Sequence, residues 1–429
     1  MLRLKCTSQC YEWGKVGKSS AVYQLLVSSQ NSDGLRSTNP YAELWMGTHP
    51  SGPSHLWDAP SVCLAKHIQE NFACLGTPCL RHFGPQLPFL FKVLSVGKAL
   101  SIQAHPTKEM AVRLHAEQPD IYKDDNHKPE MAIALTEFEA LLGFRPYHQI
   151  LAFMAAFPEL AQIASTEDPS VKATEGNASI KEMYSNLMRA PTFRIKCTIK
   201  LLSERFIKAS EAVCDPPLVV PNLDPNEVDF PALVDLFLNL SRTFPGDVGC
   251  LSVFFFNYLK LKPGEAIFLA ANTPHAYLSG DCVECMANSD NVVRAGLTPK
   301  FKDVERLLEI LNYIPTTPDS LLYPPHLRPT PEGVVMESFV PPVSDFAVDA
   351  IRFTDEGRGF SVPPVPTASI ILFTRGQGIA KYVEPDTNSI KELKFGRGFV
   401  FFAPANLTIS LVSDSTDSLQ AFRAYVNAH

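Results

Sequence analysis

Leu251–Leu278, LSVFFFNYLKLKPGEAIFLAANTPHAYL, is the stretch of sequence that decides the fold. Two apolar runs flank Lys262-Pro263-Gly264, and a Pro-Gly pair is a turn signal, so the stretch predicts two strands joined by a turn. The second run leads into Asn272–His275. The stretch therefore indicates a β domain with a histidine where a strand ends.

The domain organisation follows from changes in apolar spacing along the chain. Residues 1–145 carry the strand-like runs Phe89–Ser95 and Ala99–Ala104, which we predict to be neighbouring strands joined by a tight turn. Between residues 146 and 245 apolar residues recur at helical spacing, which predicts a helical domain inserted into a β scaffold. The β domain that carries the central stretch is expected to resume over residues 246–325.

Short strands return in the last part of the chain, residues 326–429, where turns bounded by glycine separate the apolar runs. This pattern predicts a second small β barrel or jelly roll. A Pro-rich stretch, Tyr313–Pro342, leads into it and is expected to be a linker or a long surface crossing. The whole chain is therefore predicted to be mainly β, with an inserted helical domain.

The bulk composition narrows the class of protein. A chain of 429 residues predicts about two or three domains, and a 45% hydrophobic, 19% charged composition is that of a folded globular protein. A net charge of -7 argues against nucleic acid as a partner. No signal-peptide pattern and no run of about 18 apolar residues is seen, so we expect no membrane partner. The ten scattered cysteines then favour reduced thiols and a cytoplasmic location, with a monomer as the default.

A first cluster of polar side chains lies at the end of the run that closes at Ala104. Side chains alternate along a strand, so Ser101, Gln103 and His105 are expected to share one face. Two ligands separated by one residue on a strand can bind one metal ion. The alternative is an ordinary hydrogen-bonded or exposed histidine.

A second cluster lies at Tyr122–Glu130, which combines acids, bases and an imidazole. Pro129 biases Lys128 toward an extended conformation, so Lys128 and Glu130 should project to the same side. Glu130 could then act as a hard oxygen ligand to a metal ion, and Lys128 could bind an anion or carry a proton. The alternative is a solvated charged loop.

A third group of charged residues follows the central stretch. Arg294 and Lys300 lie on either side of Gly296, and both side chains suit a phosphate group, with arginine able to bind it in a bidentate way. An ordinary surface arginine is the alternative. Cys282 and Cys285 form a CxxC without a partner CxxC, so we interpret it as a chance spacing.

These motifs together resemble known proteins. Pro263–Leu269 followed by Asn272–His275 resembles the second metal-binding motif of the cupin superfamily, whose double-stranded β barrels hold a metal ion on inward-facing side chains. The clusters, taken in order, resemble the type I phosphomannose isomerases. The segments that carry this resemblance are Tyr11–Gly14, Tyr41–Pro50, the Gln103 and His105 strand, Tyr122–Ala134 and Asn272–Lys300. The resemblance covers nearly the whole chain, and the length and the helical insertion are similar to the eukaryotic branch.

The resemblance implies a set of site residues. One zinc ion per chain would be bound by Gln103, His105, Glu130 and His275. Such a nitrogen and oxygen set, without thiolate, suits a zinc site that leaves positions open for water or substrate. Arg294 would be an active-site residue. The other positions implied to line the pocket are Trp13, Lys92, Ser101, His127, Lys128, Tyr277, Glu284 and Lys300.

The resemblance also implies a fold of two cupin-type jelly-roll β barrels with the helical domain inserted. The C-terminal barrel would be a degenerate cupin without metal, since His429 is the one histidine between Leu327 and the end of the sequence.

The implied reaction interconverts mannose 6-phosphate and fructose 6-phosphate through a cis-enediol, and would supply mannose 6-phosphate for GDP-mannose synthesis and glycosylation. Lys128, His127 and Glu284 are the candidate bases. We favour Lys128 or a neighbour for proton transfer between C1 and C2, and His127 for ring opening. Arg294 and Lys300, together with Ser101, would hold the phosphate or balance the enediolate.

Three other functions compete with this one. An iron-dependent dioxygenase of the cupin type would rely on more histidines, and the glutamine ligand disfavours it. A non-catalytic cupin that binds a phosphosugar remains the main alternative, although Lys128, Glu130 and Arg294 favour catalysis. A storage cupin would carry a secretory signal and would lack such a basic pocket.

Overall fold

A computed structural model describes residues 1–31, 33–165, 177–211, 219–354, 359–384, 388–414 and 418–427 of the chain. The strands of this described part are, in chain order, β1 (Leu2–Lys5), β2 (Thr7–Gln9), β3 (Lys15–Val16), β4 (Pro40–Tyr41), β5 (Glu43–Met46), β6 (His55–Leu56), β7 (Phe89–Val96), β8 (Ile102–Ala104), β9 (Glu130–Ala134), β10 (Phe138–Phe144), β11 (Phe256–Leu261), β12 (Ala266–Leu269), β13 (His275–Ala287), β14 (Val293–Gly296), β15 (His326–Arg328), β16 (Val334–Phe339), β17 (Ala347–Phe353), β18 (Gly359–Val362), β19 (Ser369–Arg375), β20 (Gly378–Val383), β21 (Ile390–Phe395), β22 (Val400–Ala403), β23 (Ile409–Ser413) and β24 (Gln420–Tyr425).

The α-helices of the described part are α1 (Ala21–Ser28), α2 (Leu64–Glu70), α3 (Thr77–Phe83), α4 (Lys108–Glu117), α5 (Tyr147–Ala156), α6 (Pro158–Ala164), α7 (Asn177–Arg189), α8 (Thr192–Glu211), α9 (Phe230–Thr243), α10 (Val304–Ile310) and α11 (Pro318–Leu321). Short 3-10 helices occur at Gly17–Ser19, Phe72–Leu75 and Val248–Phe254. The chain is thus mainly sheet with a block of helices in the middle, as the sequence predicts.

The long strand β13 organises the first sheet system. Its N-terminal half pairs with β10 and, at His275, with β8, whereas its C-terminal half pairs with β7 on one side and β9 on the other. All of these pairings are antiparallel, and β12 and β14 join through β9 and β8. A single strand therefore brings the ends of several others to one place.

The helical insertion lies between β10 and β11. Its longest helix, α8, buries Ile195, Ile199, Leu202 and Phe206, which recur every three or four residues and so form one apolar stripe. These side chains share one buried cluster with residues of the sheet such as Phe144. Burial of this stripe against the sheet fixes the insertion beside the end of β10.

The C-terminal part forms an eight-stranded sheet, in the order β15-β16-β17-β24-β19-β22-β1-β6, and a four-stranded sheet, β18-β23-β20-β21. The eight-stranded sheet includes two strands from the beginning of the chain, because β1 pairs with both β22 and β6. A buried apolar cluster joins this sheet to the first one and includes Phe91, Cys285 and Phe346. None of the sheets in the described ranges closes into a barrel.

Two details of the sequence-based prediction are wrong. β7 and β8 are both strands, but they do not form a hairpin: β7 pairs with β5 and β13, whereas β8 pairs with β13 and β14. The stretch between them turns away, since Leu100 donates its backbone N–H to the carbonyl of Tyr277. The Pro-rich stretch expected to be a linker contains α11, β15 and β16, because its alternating residues Val334 and Met336 are buried in the C-terminal sandwich. No helix of the described part is both long and apolar enough to cross a membrane.

Candidate active site

Four side chains from the predicted metal set converge where β13 begins. Gln103 lies in β8, His105 directly follows that strand, Glu130 is the first residue of β9 and His275 is the first residue of β13. His275 is the register partner of Gln103, and β9 runs along the other half of β13. The antiparallel pairing thus brings together residues separated by up to 172 positions in the sequence.

The distances within this cluster are short. His105 Nε2 lies 3.4 Å from Glu130 Oε1, and His275 Nε2 lies 3.5 Å from Glu130 Oε2. Gln103 Nε2 is 3.4 Å from His275 Nε2, and a half-turn of the amide would present its oxygen at the same place. Ligand atoms of His105, Glu130 and His275 all lie within 4.8 Å of one another, and all three residues are buried. The described residues hold no second group of this kind.

Hydrogen bonds on the far side of each ring orient the two histidines. His105 Nδ1 lies 2.8 Å from the carbonyl oxygen of Asn291, and His275 Nδ1 lies 2.9 Å from that of Thr273. A carbonyl only accepts, so both Nδ1 atoms carry the proton, and each neutral ring presents a lone pair at Nε2. Burial lowers the pKa of His105 to about 4, which keeps that ring neutral near pH 7.

The Nε2 lone pairs of His105 and His275 face the two oxygens of the Glu130 carboxylate, and neither Nε2 atom carries a proton that could form a hydrogen bond to it. His105 Nε2 is fully buried and makes no hydrogen bond within the described chain. Two imidazole lone pairs and a carboxylate in one buried place repel each other unless a cation lies between them. Imidazole nitrogens with a carboxylate oxygen, and without thiolate, form a donor set that suits zinc. The residues present therefore fit a divalent metal ion of this kind.

A layer of hydrogen bonds holds the loop that orients His105. The Asn291 side chain donates from Nδ2 to the backbone oxygens of Asp124 (2.7 Å) and Asn126 (3.0 Å). The Asp124 carboxylate in turn accepts from Ser289 Oγ (2.8 Å) and from the backbone N–H of Asp290 (2.7 Å). The loop before β9 and the loop before β14 are thereby fastened to each other beside the metal cluster.

Lys128 reaches the cluster from the loop before β9. Its Nζ lies 3.4 Å from Glu130 Oε1, as expected for two residues that project to the same side of an extended segment. Burial opposes the charge on Glu130, but the pKa of this carboxyl lies well below its usual range, and the Lys128 ammonium group favours the charged form. Glu130 is therefore an anion at neutral pH, ready to bind a cation.

A second buried charge network lies beside the cluster. Lys92 Nζ is 3.2 Å from Glu284 Oε2 and 3.4 Å from Glu43 Oε2, and Tyr277 donates from Oη to Glu284 Oε1 at 2.9 Å. Burial alone would lower the pKa of Lys92, but the Glu43 and Glu284 carboxylates raise it above its ordinary value. Burial raises the pKa of Glu284, although the Lys92 charge opposes this. The network thus holds a fixed ammonium group next to a carboxyl that accepts protons readily.

Sequence reasoning missed Glu43 as a member of this network. The residue lies in β5, where every residue is buried, and its carboxylate also accepts a hydrogen bond from Trp45 Nε1. The signal was present in the sequence, since a glutamate inside the otherwise apolar run ELWM needs a buried partner.

Arg294 lies directly opposite Gln103 in the β14–β8 ladder. Its guanidinium is about half buried and makes no hydrogen bond or ion pair within the described chain, and burial lowers its pKa. Such a group can form new hydrogen bonds to an anion without breaking old ones. Lys300 lies farther out, with its side chain exposed.

Two further predicted pocket residues lie at the edge of the site. Trp13 is partly buried against the cluster that contains Tyr277, and its ring stacks on Tyr11 at 5.9 Å. Ser101 precedes β8 and is partly exposed. Both are near the site, but neither makes a polar side-chain contact with the metal cluster.

His127 makes its polar contact away from the metal cluster. Its Nε2 lies 3.2 and 3.1 Å from the two carboxylate oxygens of Asp345, which belongs to the C-terminal part of the chain. The described contacts of this ring do not include Gln103, His105, Glu130 or His275. The structure thus brings Lys128 and Glu130 to the cluster but directs the neighbouring imidazole toward the other β domain.

The fold and the site together define a β protein with a helical insertion and one buried metal-binding cluster surrounded by basic side chains. Comparison with known proteins then gives the family. The family model described as "Phosphomannose isomerase type I, catalytic domain" matches residues 1–147, and "Phosphomannose isomerase type I, helical insertion domain" matches residues 156–256.

Curated relatives match over the full length. A "Probable mannose-6-phosphate isomerase" from Echinococcus multilocularis is 65% identical, with 100% of both chains covered. The "Mannose-6-phosphate isomerase" of Mus musculus is 42% identical, with 98% of this chain and 97% of the relative covered. The chain belongs to the type I phosphomannose isomerase family.

Solved structures agree with this assignment. A crystal structure of a mutant phosphomannose isomerase from Salmonella typhimurium superposes with a TM-score of 0.78 at 27% identity, covering 100% of this chain and 99% of the other. A mannose 6-phosphate isomerase described as bound with zinc and yttrium gives a TM-score of 0.76 at 27% identity, with 99% of each chain covered.

Proposed function

We propose that this protein interconverts mannose 6-phosphate and fructose 6-phosphate with one zinc ion held by Gln103, His105, Glu130 and His275. The observation that carries the proposal is the convergence of two imidazole lone pairs on the Glu130 carboxylate with no proton between them. Membership of the family supports the reaction, and the zinc in a structural neighbour supports the choice of metal.

The charges of the site suit an anionic substrate. Three buried carboxylates, Glu43, Glu130 and Glu284, accompany two ammonium groups, Lys92 and Lys128. Counted as ionised, these groups leave one negative charge, which a divalent cation converts to one positive charge. The unpaired Arg294 guanidinium adds another, so a dianionic sugar phosphate is attracted to the site.

We assign the phosphate or the developing oxyanion to Arg294, with Lys300 and Ser101 as further phosphate ligands. Arg294 makes no hydrogen bond or ion pair within the described ranges and lies directly opposite the proposed metal ligand Gln103. A guanidinium placed there binds oxygen anions in a fixed orientation. Lys300, which is exposed, suits an outer contact at the entrance, and Trp13 suits an apolar wall.

Lys128 is our candidate for the base that moves the proton between C2 and C1. In its neutral amine form it takes the C2 proton of the open-chain aldose, the electron pair forms the C1–C2 double bond of a cis-enediol, and O1 gains a proton that matches the one O2 gives up in the second half of the reaction. The ketose forms when O2 loses its proton and the base returns a proton to C1. A zinc ion bound nearby supplies positive charge that stabilises the negative charge developing on the sugar oxygens.

Two other residues have proposed roles in proton transfer. The raised pKa of Glu284 suits a carboxyl that holds a proton, and its hydrogen bond from Tyr277 fixes its orientation. His127 is our candidate for ring opening. Its Nε2 is engaged by Asp345, which leaves Nδ1 as the atom that would accept or donate a proton at the sugar ring.

Several broader features remain part of the proposal. The two β sandwiches would be cupin-type jelly-roll barrels, the C-terminal one without metal, with domains at 1–145, 146–245, 246–325 and 326–429. The enzyme would act as a cytoplasmic monomer and would supply mannose 6-phosphate for GDP-mannose synthesis. The family models support the division into a catalytic domain and a helical insertion.

A coupled assay tests the proposed function. Fructose 6-phosphate formation from mannose 6-phosphate is followed before chelation, after chelation and after zinc is restored. We expect activity that chelation removes and zinc returns. A folded, zinc-loaded protein without turnover would instead favour the phosphosugar-binding alternative, and a direct binding titration with mannose 6-phosphate then checks that alternative.

A further inference from the structure

Asp345 is a buried carboxylate whose one polar partner in the described chain is the His127 side chain. The residue is 4% exposed, and its oxygens lie 3.1 and 3.2 Å from His127 Nε2. A buried carboxylate is costly unless it is hydrogen-bonded or paired. The contact therefore constrains both residues, although 218 positions separate them in the sequence.

Hydrogen bonds and apolar packing in the C-terminal part of the chain hold the backbone around Asp345 in place. Asn427 donates from Nδ2 to the carbonyls of Pro341 (3.1 Å) and Val343 (2.8 Å), and its backbone N–H bonds to the carbonyl of Ser344 at 3.1 Å. The next residue, Phe346, is fully buried in the apolar cluster between the two β systems. The carboxylate thus has a fixed position relative to the first sheet.

The partner, His127, lies in a segment that is held at its two ends but is not part of a strand. No strand pairing is present between Asp124 and Pro129, whereas Glu130 is paired on both sides, with Leu269 in β12 and Met286 in β13. The Asp124 and Asn126 contacts hold the start of the segment. Its end is held at Pro129, whose carbonyl accepts from the backbone N–H of Ala287 at 3.2 Å, and between these two points His127 is held by its contact with Asp345.

We propose that Asp345 is a positioning residue for the reaction: through His127 it fixes the segment that carries Lys128 over the metal cluster. The inference rests on the proposed function for its catalytic readout. The C-terminal part of the chain then has a role in the active site, because its Asp345 carboxylate positions the loop that carries Lys128. Glu130 is held by its own strand, so metal binding does not depend on this contact.

The test compares Asp345→Asn, His127→Gln and the double variant with the unchanged, zinc-loaded protein. Each single change removes one side of the ion pair, so we expect each to lower kcat by about tenfold to a hundredfold, which is the usual effect of removing a residue that orients an active-site group. Since the two act as one unit, the double variant should be no worse than either single one. KM and zinc content should change little. Ser344→Ala, an exposed neighbour, is the matched control.

A second readout does not depend on the substrate. Hydrogen exchange of the peptide that spans residues 122–131 should become faster in Asp345→Asn and in His127→Gln, but not in Ser344→Ala. If Asp345→Asn and His127→Gln keep the kcat and the exchange rate of the active parent protein, this inference is wrong while the proposed function still stands. Losses that add up in the double variant would also overturn it, because Asp345 would then act independently of His127. If the protein without substitutions is inactive, the proposed function is wrong. The exchange rates would still decide whether Asp345 holds the loop.

Discussion

Arg294 and Gln103 face each other across one rung of the β14–β8 ladder. One is an arginine without a protein partner, and the other belongs to the metal cluster. Directly opposite residues of an antiparallel pair project to the same face, so the guanidinium starts from the face that carries Gln103. The sheet register thus sets the arginine beside the cluster that we propose to hold zinc.

Arg294→Gln should weaken transition-state binding while the protein stays folded and keeps its metal. A hydrogen bond to a charged group contributes about 1.5–3 kcal/mol, so we expect kcat/KM for mannose 6-phosphate to fall by roughly tenfold to a hundredfold. Steady-state kinetics, with zinc content measured on the same samples, check this. Arg81→Gln, at an exposed arginine on α3, is the control and should behave as the unchanged protein. Equal kinetics for the two variants would remove Arg294 from the site.

Lys128→Met should lose turnover but retain zinc. The substitution keeps most of the side-chain length and removes the amine, and loss of a general base typically costs about a hundredfold to ten-thousandfold in rate. Lys123→Met, in the same loop but exposed, is the matched control. Turnover and metal content are measured together. Normal turnover in Lys128→Met would exclude this lysine as the base and leave Glu284 and His127 as candidates.

His105→Ala and His275→Ala should lose zinc before they lose their fold. Each removes one of the two imidazoles that face Glu130 and leaves three of the four proposed ligands, so we expect zinc to be bound more weakly. Metal analysis after dialysis against a weak chelator measures the loss, and circular dichroism checks the fold. His326→Ala, at an exposed position in β15, is the control. Full zinc occupancy in both cluster variants would place the metal elsewhere.

The metal-free protein should become less stable as the pH falls from about 6.5 to about 4. Burial lowers the pKa of His105 to about 4, against an ordinary value near 6.5, so in this window the unfolded chain takes up a proton that the folded chain refuses. The stability is therefore complete above the unfolded pKa and is lost on acidification, by roughly 3 kcal/mol at most. Urea unfolding at several pH values measures it. His105→Gln should flatten this part of the profile, and an unchanged slope would show that other groups cause it.

The metal cluster is the part of the site that sequence could predict best. Gln103 and His105 are two residues apart on a strand, and Lys128 and Glu130 are two residues apart on an extended segment, so local alternation was enough to direct each pair to one side. His275 could be added because it follows a recognisable strand, although the structure places it at the start of β13 and not at the end of β12. The structure brings Lys128 and Glu130 to within 3.4 Å, as alternation required.

The rest of the site depends on contacts between distant segments, which no local pattern reports. Asp345 meets His127 across 218 positions, and nothing in the run PPVSDF indicates that its aspartate is buried. The turn between β7 and β8 was predicted as a hairpin because both runs are apolar and adjacent. The structure instead places β13 beside each of them, since that long strand offers partners to both.

The pairing of β1 with β22 has a consequence for the way this chain is made. Leu4 lies opposite Val400, so a strand made early completes a sheet with a strand made much later. Until then its backbone N–H and carbonyl groups on that edge have no strand to pair with, and open edges of this kind favour association with other chains. Nascent chains stalled before β22 should therefore be more prone to aggregation than chains released at full length, whatever the state of the catalytic cluster.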